Sequence, residues 1–198
     1  MDFNTTAFIA DYTTKGYHGT SREAAASIKT SNFSLSRGDD HWLGVGAYFF
    51  EEGISNASEN AEYWAKVSAW NNSQKTYEYD VYNVLKVPIC FKRIWDLCSR
   101  EGLELFEYAR RQLTQKRKLR PTESASGRKF DNSVIEFTAN LHGFDGLRSW
   151  FFIKLDKQSR VLAVKPGIPN VTVLCARNPQ DSILLDEIEI LKEGYVSR

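Results

Sequence analysis

The chain has 198 residues, 42% hydrophobic and 26% charged, proportions close to those of ordinary soluble proteins and a length that demands no more than one domain. Its formal charge of +1 hides one uneven stretch, Arg110, Arg111, Lys116, Arg117, Lys118 and Arg120, which reads first as a solvated helix face or flexible loop and second as a polyanion-binding surface. Cys90, Cys98 and Cys175 are odd in number and form no CxxC pair, which argues against a disulfide framework or a zinc site and for a reducing compartment.

The first residues lack the basic start and apolar run of a secretory signal, and no later stretch is long enough to cross a membrane. A cytoplasmic protein with no membrane partner is the expectation. Residues 16–20 read as a short strand and turn, followed by an alanine-rich helix over 21–30 that Thr20 and Glu23 would open with capping-box spacing. Residues 32–40 are a polar loop, and Gly46-Ala47-Tyr48-Phe49-Phe50 reads as a buried strand entered through glycines. Helical spacing returns over 58–70, with Ala61, Trp64 and Ala65 along one side.

The tyrosine- and valine-rich stretch 77–90 is the clearest strand, with Pro88 marking an edge or an end. A helix follows to about Lys118, and then 121–129 is the loosest part of the chain and the best candidate for a mobile loop. A further helix is expected from Asp131 to Gly143, with Val134, Phe137 and Leu141 as its buried face. Strands are expected at 146–154, 161–164, 171–176 and 183–191. The sum is an α+β domain whose compact split sheet is assembled from distant parts of the chain.

Two glycine-bearing segments stand out, Tyr17-His18-Gly19-Thr20-Ser21 and Leu43-Gly44-Val45-Gly46-Ala47-Tyr48-Phe49-Phe50. The second lacks the third glycine and the following helix of a Rossmann phosphate loop. In this order the pair resembles the active-site core of the poly(ADP-ribose) polymerase-like branch of ADP-ribosyltransferases. Members of that branch carry a His-Gly-Ser/Thr turn and then a Gly-x-Gly-x-Tyr-Phe strand. A helix with a further tyrosine comes next in the family, and residues 58–63, ending in Tyr63, are similar to it. The match covers about the first third of the chain and is closest to compact bacterial or phage-related members.

The resemblance implies an ADP-ribosyltransferase-like split sheet over residues 1–198 as one catalytic domain, with NAD as co-substrate and no metal. His18 and Tyr48 would be catalytic, and His18, Gly19, Thr20, Tyr48 and Tyr63 would hold NAD. Gly19 would grip the carboxamide, Tyr48 and Tyr63 would sandwich the nicotinamide ring, and His18 would bond the adenosine ribose. The physical chemistry agrees, since nicotinamide in NAD is a flat cation on which aromatic rings stack. The helix after Thr20 would also point its positive end toward the pyrophosphate.

The family's third active-site group is a strand glutamate, and Glu136 is the candidate for it here. Its place on the expected helix, opposite Val134, Phe137 and Leu141, equally suits a solvent-facing residue. Asp145, Glu187 and Glu189 are rival acids. His41, Trp42 and His142 read as packing or loop residues, and Asp145 with Arg148 as either a structural pair or a substrate contact. The implied function is mono-ADP-ribosylation of a protein or nucleic-acid (RNA or DNA) acceptor, as in a toxin or defence effector with an antitoxin or chaperone partner. The alternatives are a binding module for NAD or ADP-ribose that has lost catalysis, and an NAD glycohydrolase.

Overall fold

Backbone pairing across one long hairpin-like frame decides the architecture. The computed structural model describes residues 8–36, 41–117, 127–161 and 167–196. β1 (Phe8–Ser21) runs well beyond the expected 16–20, and α1 (Arg22–Ser31) follows without a break. The cap of α1 is Ser21, whose Oγ accepts from the Ala24 amide at 3.1 Å. Thr20 does not cap the helix because α1 begins at Arg22, which puts Ser21 in the capping position one residue later than expected.

Next come β2 (Ala47–Glu51), α2 (Ala57–Ser68), the short pair β3 (Trp70–Asn71) and β4 (Thr76–Tyr77), and β5 (Val81–Asp96). The remaining elements are α3 (Arg100–Arg117), α4 (Gly127–His142), β6 (Gly146–Phe151), α5 (Lys157–Val161), β7 (Val171–Ala176), α6 (Pro179–Ser182) and β8 (Glu189–Tyr195). Ile183 makes only an isolated bridge to Ile89, and a 3-10 turn at Leu185–Glu187 delays the final strand past its expected start. Of the strand expected at 161–164, Val161 ends a helix and the rest lies outside the described residues. The loop expected at 121–129 also falls outside them up to residue 126, and α4 already begins at Gly127.

β5 continues straight through Pro88 because nothing in the β1 ladder needs that nitrogen. The Pro88 carbonyl accepts from the Leu184 amide, on the side away from β1, and a strand residue directs its N and C=O the same way. β1 and β5 therefore pair from Phe8 opposite Trp95 to Ser21 opposite Tyr82. The strand order β1-β2-β7-β6-β5 closes on itself through this pairing, and β8 is added outside β5. β5 and β6 are parallel and the other pairs antiparallel. The α+β class is as expected, and the sheet is a barrel-like ring.

The ring separates two buried clusters. One, with Phe49, Leu85, Val87, Ile89, Phe91 and Leu174, is covered by α1. The other, with Phe50, Val84, Trp95, Leu147 and Val173, lies under α2, α3 and α4. α4 turns Val134, Ile135, Thr138 and Ala139 inward and leaves Phe137 and Leu141 at 47% and 67% exposure. The expected face 134/137/141 is corrected on this point. Both stripes have helical spacing, and the one rich in small and β-branched groups fits more closely against its neighbours.

α2 sits directly on β1 through Ala57, Ala61 and Ala65, all fully buried. Gly19 makes that approach feasible, since a Cβ there would lie 1.8 Å from the Ala61 carbonyl oxygen. Glu62 ties the outer side of α2 to the sheet by accepting from Lys192 (2.6 Å) and the Tyr82 hydroxyl (2.7 Å), and it also accepts from Lys66 (2.6 Å) one turn along the same helix. Burial alone would raise its pKa, but these donors outweigh it and bring the carboxyl from 4.5 down to about 2.

A carboxyl depressed in the fold adds stability above its unfolded pKa and loses it as pH falls toward the folded value. Urea midpoints of the wild type should therefore drop more steeply between pH 4.5 and about 2 than those of Glu62→Gln. Equal slopes would count against the Glu62 anchor.

Candidate functional site

The ring has one weak seam. β1 and β2 share a single residue pair, Tyr17 opposite Phe50, and the ladder stops there. Continued pairing would set His18 against Phe49. Instead the His18 Nδ1 donates to the Tyr48 carbonyl at 2.9 Å. A carbonyl can only accept, so Nδ1 carries the proton and Nε2 keeps a lone pair. Burial lowers the His18 pKa against the opposing effect of that hydrogen bond, which keeps the ring neutral. Phe33 and Phe49 pack against it edge-on, 5.1 and 5.9 Å away between centroids.

Tyr48 stands on the other side of the seam. Its hydroxyl donates to the Gly44 carbonyl (2.5 Å) and accepts from the Leu43 amide (3.0 Å), so the phenol closes the turn that leads into β2. Burial, reinforced by nearby Cys175, pushes its pKa up. The turn is held from two further sides. Ser36 and Gly46 exchange backbone hydrogen bonds, and the Val45 amide donates to Glu136 Oε1 at 2.5 Å. Gly44 has φ +77, a conformation that L side chains rarely adopt.

A cavity of about 630 Å3 opens where the strands part. His18, Gly19 and Tyr48 all line it, so the two glycine-bearing segments meet around one space. Its aromatic wall is Trp42, Trp64 and Tyr48, with Trp42 5.9 Å from Trp64 and 6.4 Å from Tyr48. His41 joins them, 5.8 Å from Tyr48 and bonded through Nε2 to Ser36 Oγ at 2.8 Å. The opposite end is formed by Phe33 and by Ala24, Ser27 and Ile28 of α1. No Asp, Glu, Lys or Arg occurs among the described lining residues.

Three of the expected site residues are placed elsewhere. Thr20 lies one step beyond the lining residues along β1. Tyr63 is 48% exposed on α2 with the Lys66 ammonium 6.0 Å from its ring, and Trp64 takes the cavity-facing place. The reason is that Ala57, Ala61 and Ala65 must face β1, which fixes the helix rotation and turns residue 63 outward. Glu136 does not line the cavity. Its carboxylate is engaged by the Val45 amide and by Arg177 Nη2 at 2.9 Å.

The rival acids are also occupied or remote. Asp145 accepts from the amides of Lys92 and Arg93, both at 2.9 Å, and does not pair with Arg148. Arg148 instead bonds Glu51 at 2.5 Å and approaches Asp96 at 3.4 Å. Glu189 pairs with Lys86 at 3.0 Å, and Glu187 lies in the 3-10 turn. His142 stacks on Phe144. Trp42, Trp64, His41 and Phe33 were not legible as lining residues, although the helical stripe of 58–70 included Trp64. Among the described residues no group of three or more His, Cys, Asp or Glu could hold a metal, and no helix is long and apolar enough to cross a membrane.

No protein-family model matches the chain. The uncharacterized protein MJ0359 of Methanocaldococcus jannaschii is 32% identical over 155 residues, which span 73% of this chain and 68% of the archaeal protein. Among solved structures, the crystal structure of the M. tuberculosis MbcT-MbcA toxin-antitoxin complex aligns with 96% of this chain and 88% of the matched chain, at 9% identity and a TM-score of 0.46.

A neutral, buried imidazole has a simple signature. Because the folded pKa of His18 lies below 6.5, the unfolded chain binds the proton first as pH falls, and stability declines from pH 6.5 downward. The stability difference between wild type and His18→Gln should therefore shrink from pH 7.5 to pH 5 in urea titrations. A difference that grows on acidification would contradict the neutral tautomer.

Proposed function

This chain belongs to the family that includes MJ0359 of Methanocaldococcus jannaschii, and we propose that it binds NAD in the seam between β1 and β2 and transfers the ADP-ribose unit with release of nicotinamide. The observation that carries the reading is the convergence of His18-Gly19 and Tyr48 on one cavity with an aromatic wall. A pyridinium gains from aromatic faces and needs no opposite charge beside it. Trp42, Trp64 and Tyr48 offer those faces, and His18 Nε2 offers an acceptor to a ribose hydroxyl. The barrel-like ring with its parted strands is the proposed counterpart of the split sheet of ADP-ribosyltransferases.

The chemistry asks little of acids or bases. The bond from ribose C1′ to the nicotinamide nitrogen breaks, and its electron pair neutralises the departing pyridinium. The acceptor then bonds to C1′ and gives its proton to solvent. An oxocarbenium-like state lies between, and what stabilises it is placement and charge complementarity at the ribose. In this reading the acceptor is a protein or a nucleic acid, the role is that of a toxin or defence effector, and an antitoxin or chaperone restrains it.

Incubation of a cell lysate with adenine-labelled NAD should give nicotinamide and a labelled macromolecule. Tyr48→Ala should slow nicotinamide release by about 10²-fold, the scale on which misplaced reactants lose rate. A wild type that neither binds NAD nor releases nicotinamide would sink the proposal. The lack of a carboxylate among the described lining residues favours a second reading, a binding module, for which ligand would be retained and no nicotinamide would appear. Free ADP-ribose without a labelled macromolecule would identify water as the acceptor.

The basic run offers a way to identify a nucleic-acid acceptor. Arg110 is tied to Glu107 at 2.5 Å, and the side chains from Lys116 to Arg120 lie outside the described residues. If RNA or DNA is modified, replacing Arg111, Lys116, Arg117, Lys118 and Arg120 by glutamine should weaken labelling and flatten its salt dependence. Unchanged labelling in 50 and 200 mM salt, concentrations that separate such contacts, would exclude that surface.

A further inference from the structure

The sequence made Glu136 a candidate catalyst, and the structure gives it a different occupation. Its Oε1 accepts from the Val45 amide at 2.5 Å, across 91 positions of sequence. Its Oε2 accepts from Arg177 Nη2 at 2.9 Å, and the same nitrogen donates to Asn140 Oδ1 at 2.9 Å. Arg177 directly follows β7, whose Ala176 pairs with Ala47 at the start of β2. The pin and the strand that bears Tyr48 thus share one base.

The turn is shaped around this carboxylate. A Cβ on residue 44 would lie 2.1 Å from Glu136 Oε1, so the glycine leaves the space that the acid fills. The same turn supplies the Gly44 carbonyl and the Leu43 amide that hold the Tyr48 hydroxyl, and Trp42 directly precedes it. A hydrogen bond to an ionised acceptor is stronger than a neutral one. The carboxylate side chain is 29% exposed, and its partner Arg177 is more deeply buried.

We propose that Glu136 is a positioning residue for the cleft: it holds the 43–46 turn so that Tyr48 and Trp42 face the ring of bound NAD, and it takes no part in bond breaking. This rests on the NAD reading given above. Amide hydrogen exchange at Val45 and the NAD dissociation constant, measured on wild type, Glu136→Ala and Glu136→Gln, test it. Glu136→Ala should exchange Val45 about tenfold faster and bind NAD about tenfold more weakly. Glu136→Gln should recover part of both, because its amide oxygen still accepts from Val45 while its NH2 group loses the bond from Arg177, and it also serves if the alanine variant does not fold.

Unchanged exchange in Glu136→Ala would overturn the proposal, as would faster exchange with an unchanged dissociation constant. A glutamine variant no better than alanine, with its melting temperature near wild type, would overturn it as well. A wild type that binds no NAD ends the proposed function and this role together. Faster exchange at Val45 in Glu136→Ala would then show that the turn is pinned and that the ligand was misassigned.

Discussion

The hydrogen bond from the His18 imidazole to the Tyr48 carbonyl is the constraint on which the site depends. A backbone ladder between β1 and β2 would have satisfied the same carbonyl and closed the gap. The ladder instead ends at Tyr17 and Phe50, and a side chain crosses in its place. Because an imidazole is longer than a peptide group, the strands stand apart at this point and residues from both faces of the sheet reach one cavity. The bond also sets the tautomer, so the atom that positions the strands decides which ring nitrogen is left to accept.

The two walls of the cleft are stiffened by different means. β1 is fixed by its pairing with β5 from Phe8 to Ser21, interrupted at Asp11, and by the stripe of alanines that brings α2 against Gly19. The Tyr48 side is irregular, and irregular backbone must find partners for its polar groups one at a time. It does so through Ser36, through Tyr48 itself and through Glu136. The glycines of the second motif serve these packing needs. Gly44 makes room for a carboxylate, and a Cβ on Gly46 would lie 2.3 Å from Cys175 Sγ.

What the sequence disclosed follows from the range of the interactions involved. The α+β class and the helix behind His18 were legible because each rests on a local pattern, whereas the meeting of the two glycine-bearing segments followed from the resemblance to ADP-ribosyltransferases. Tyr63 was misplaced because a helix's rotation depends on what it packs against, and the alanine stripe facing β1 outranked the aromatic next to Trp64. The Glu136 contact joins a helix to a turn far away in sequence, so no spacing rule could report it. Trp42 and His41 were obscured for a similar reason, since a polar loop reads as solvent until its closing bonds are known.

The seam also needs a limit on how far it can open, and the other side of the Tyr17–Phe50 pair provides one. There Glu51 of β2, only 4% exposed, accepts from Tyr12 (2.6 Å) and Thr14 (2.7 Å) of β1 and from Arg148 of β6. A buried carboxylate is tolerable only when it is paired and fully bonded. Burial, with Glu51 as the next cause, pushes the Tyr12 hydroxyl up to about 12, which keeps it a donor to that acid. β1 and β2 are therefore tied by side chains on both sides of their single backbone pair: densely and with charge on one side, sparsely and without charge on the other. Each side carries a cavity of similar size, and the two differ in chemistry: about 630 Å3 with an aromatic wall and no charged lining residue among those described on the sparse side, and about 640 Å3 lined by Glu51, Arg148 and Lys86 on the charged side.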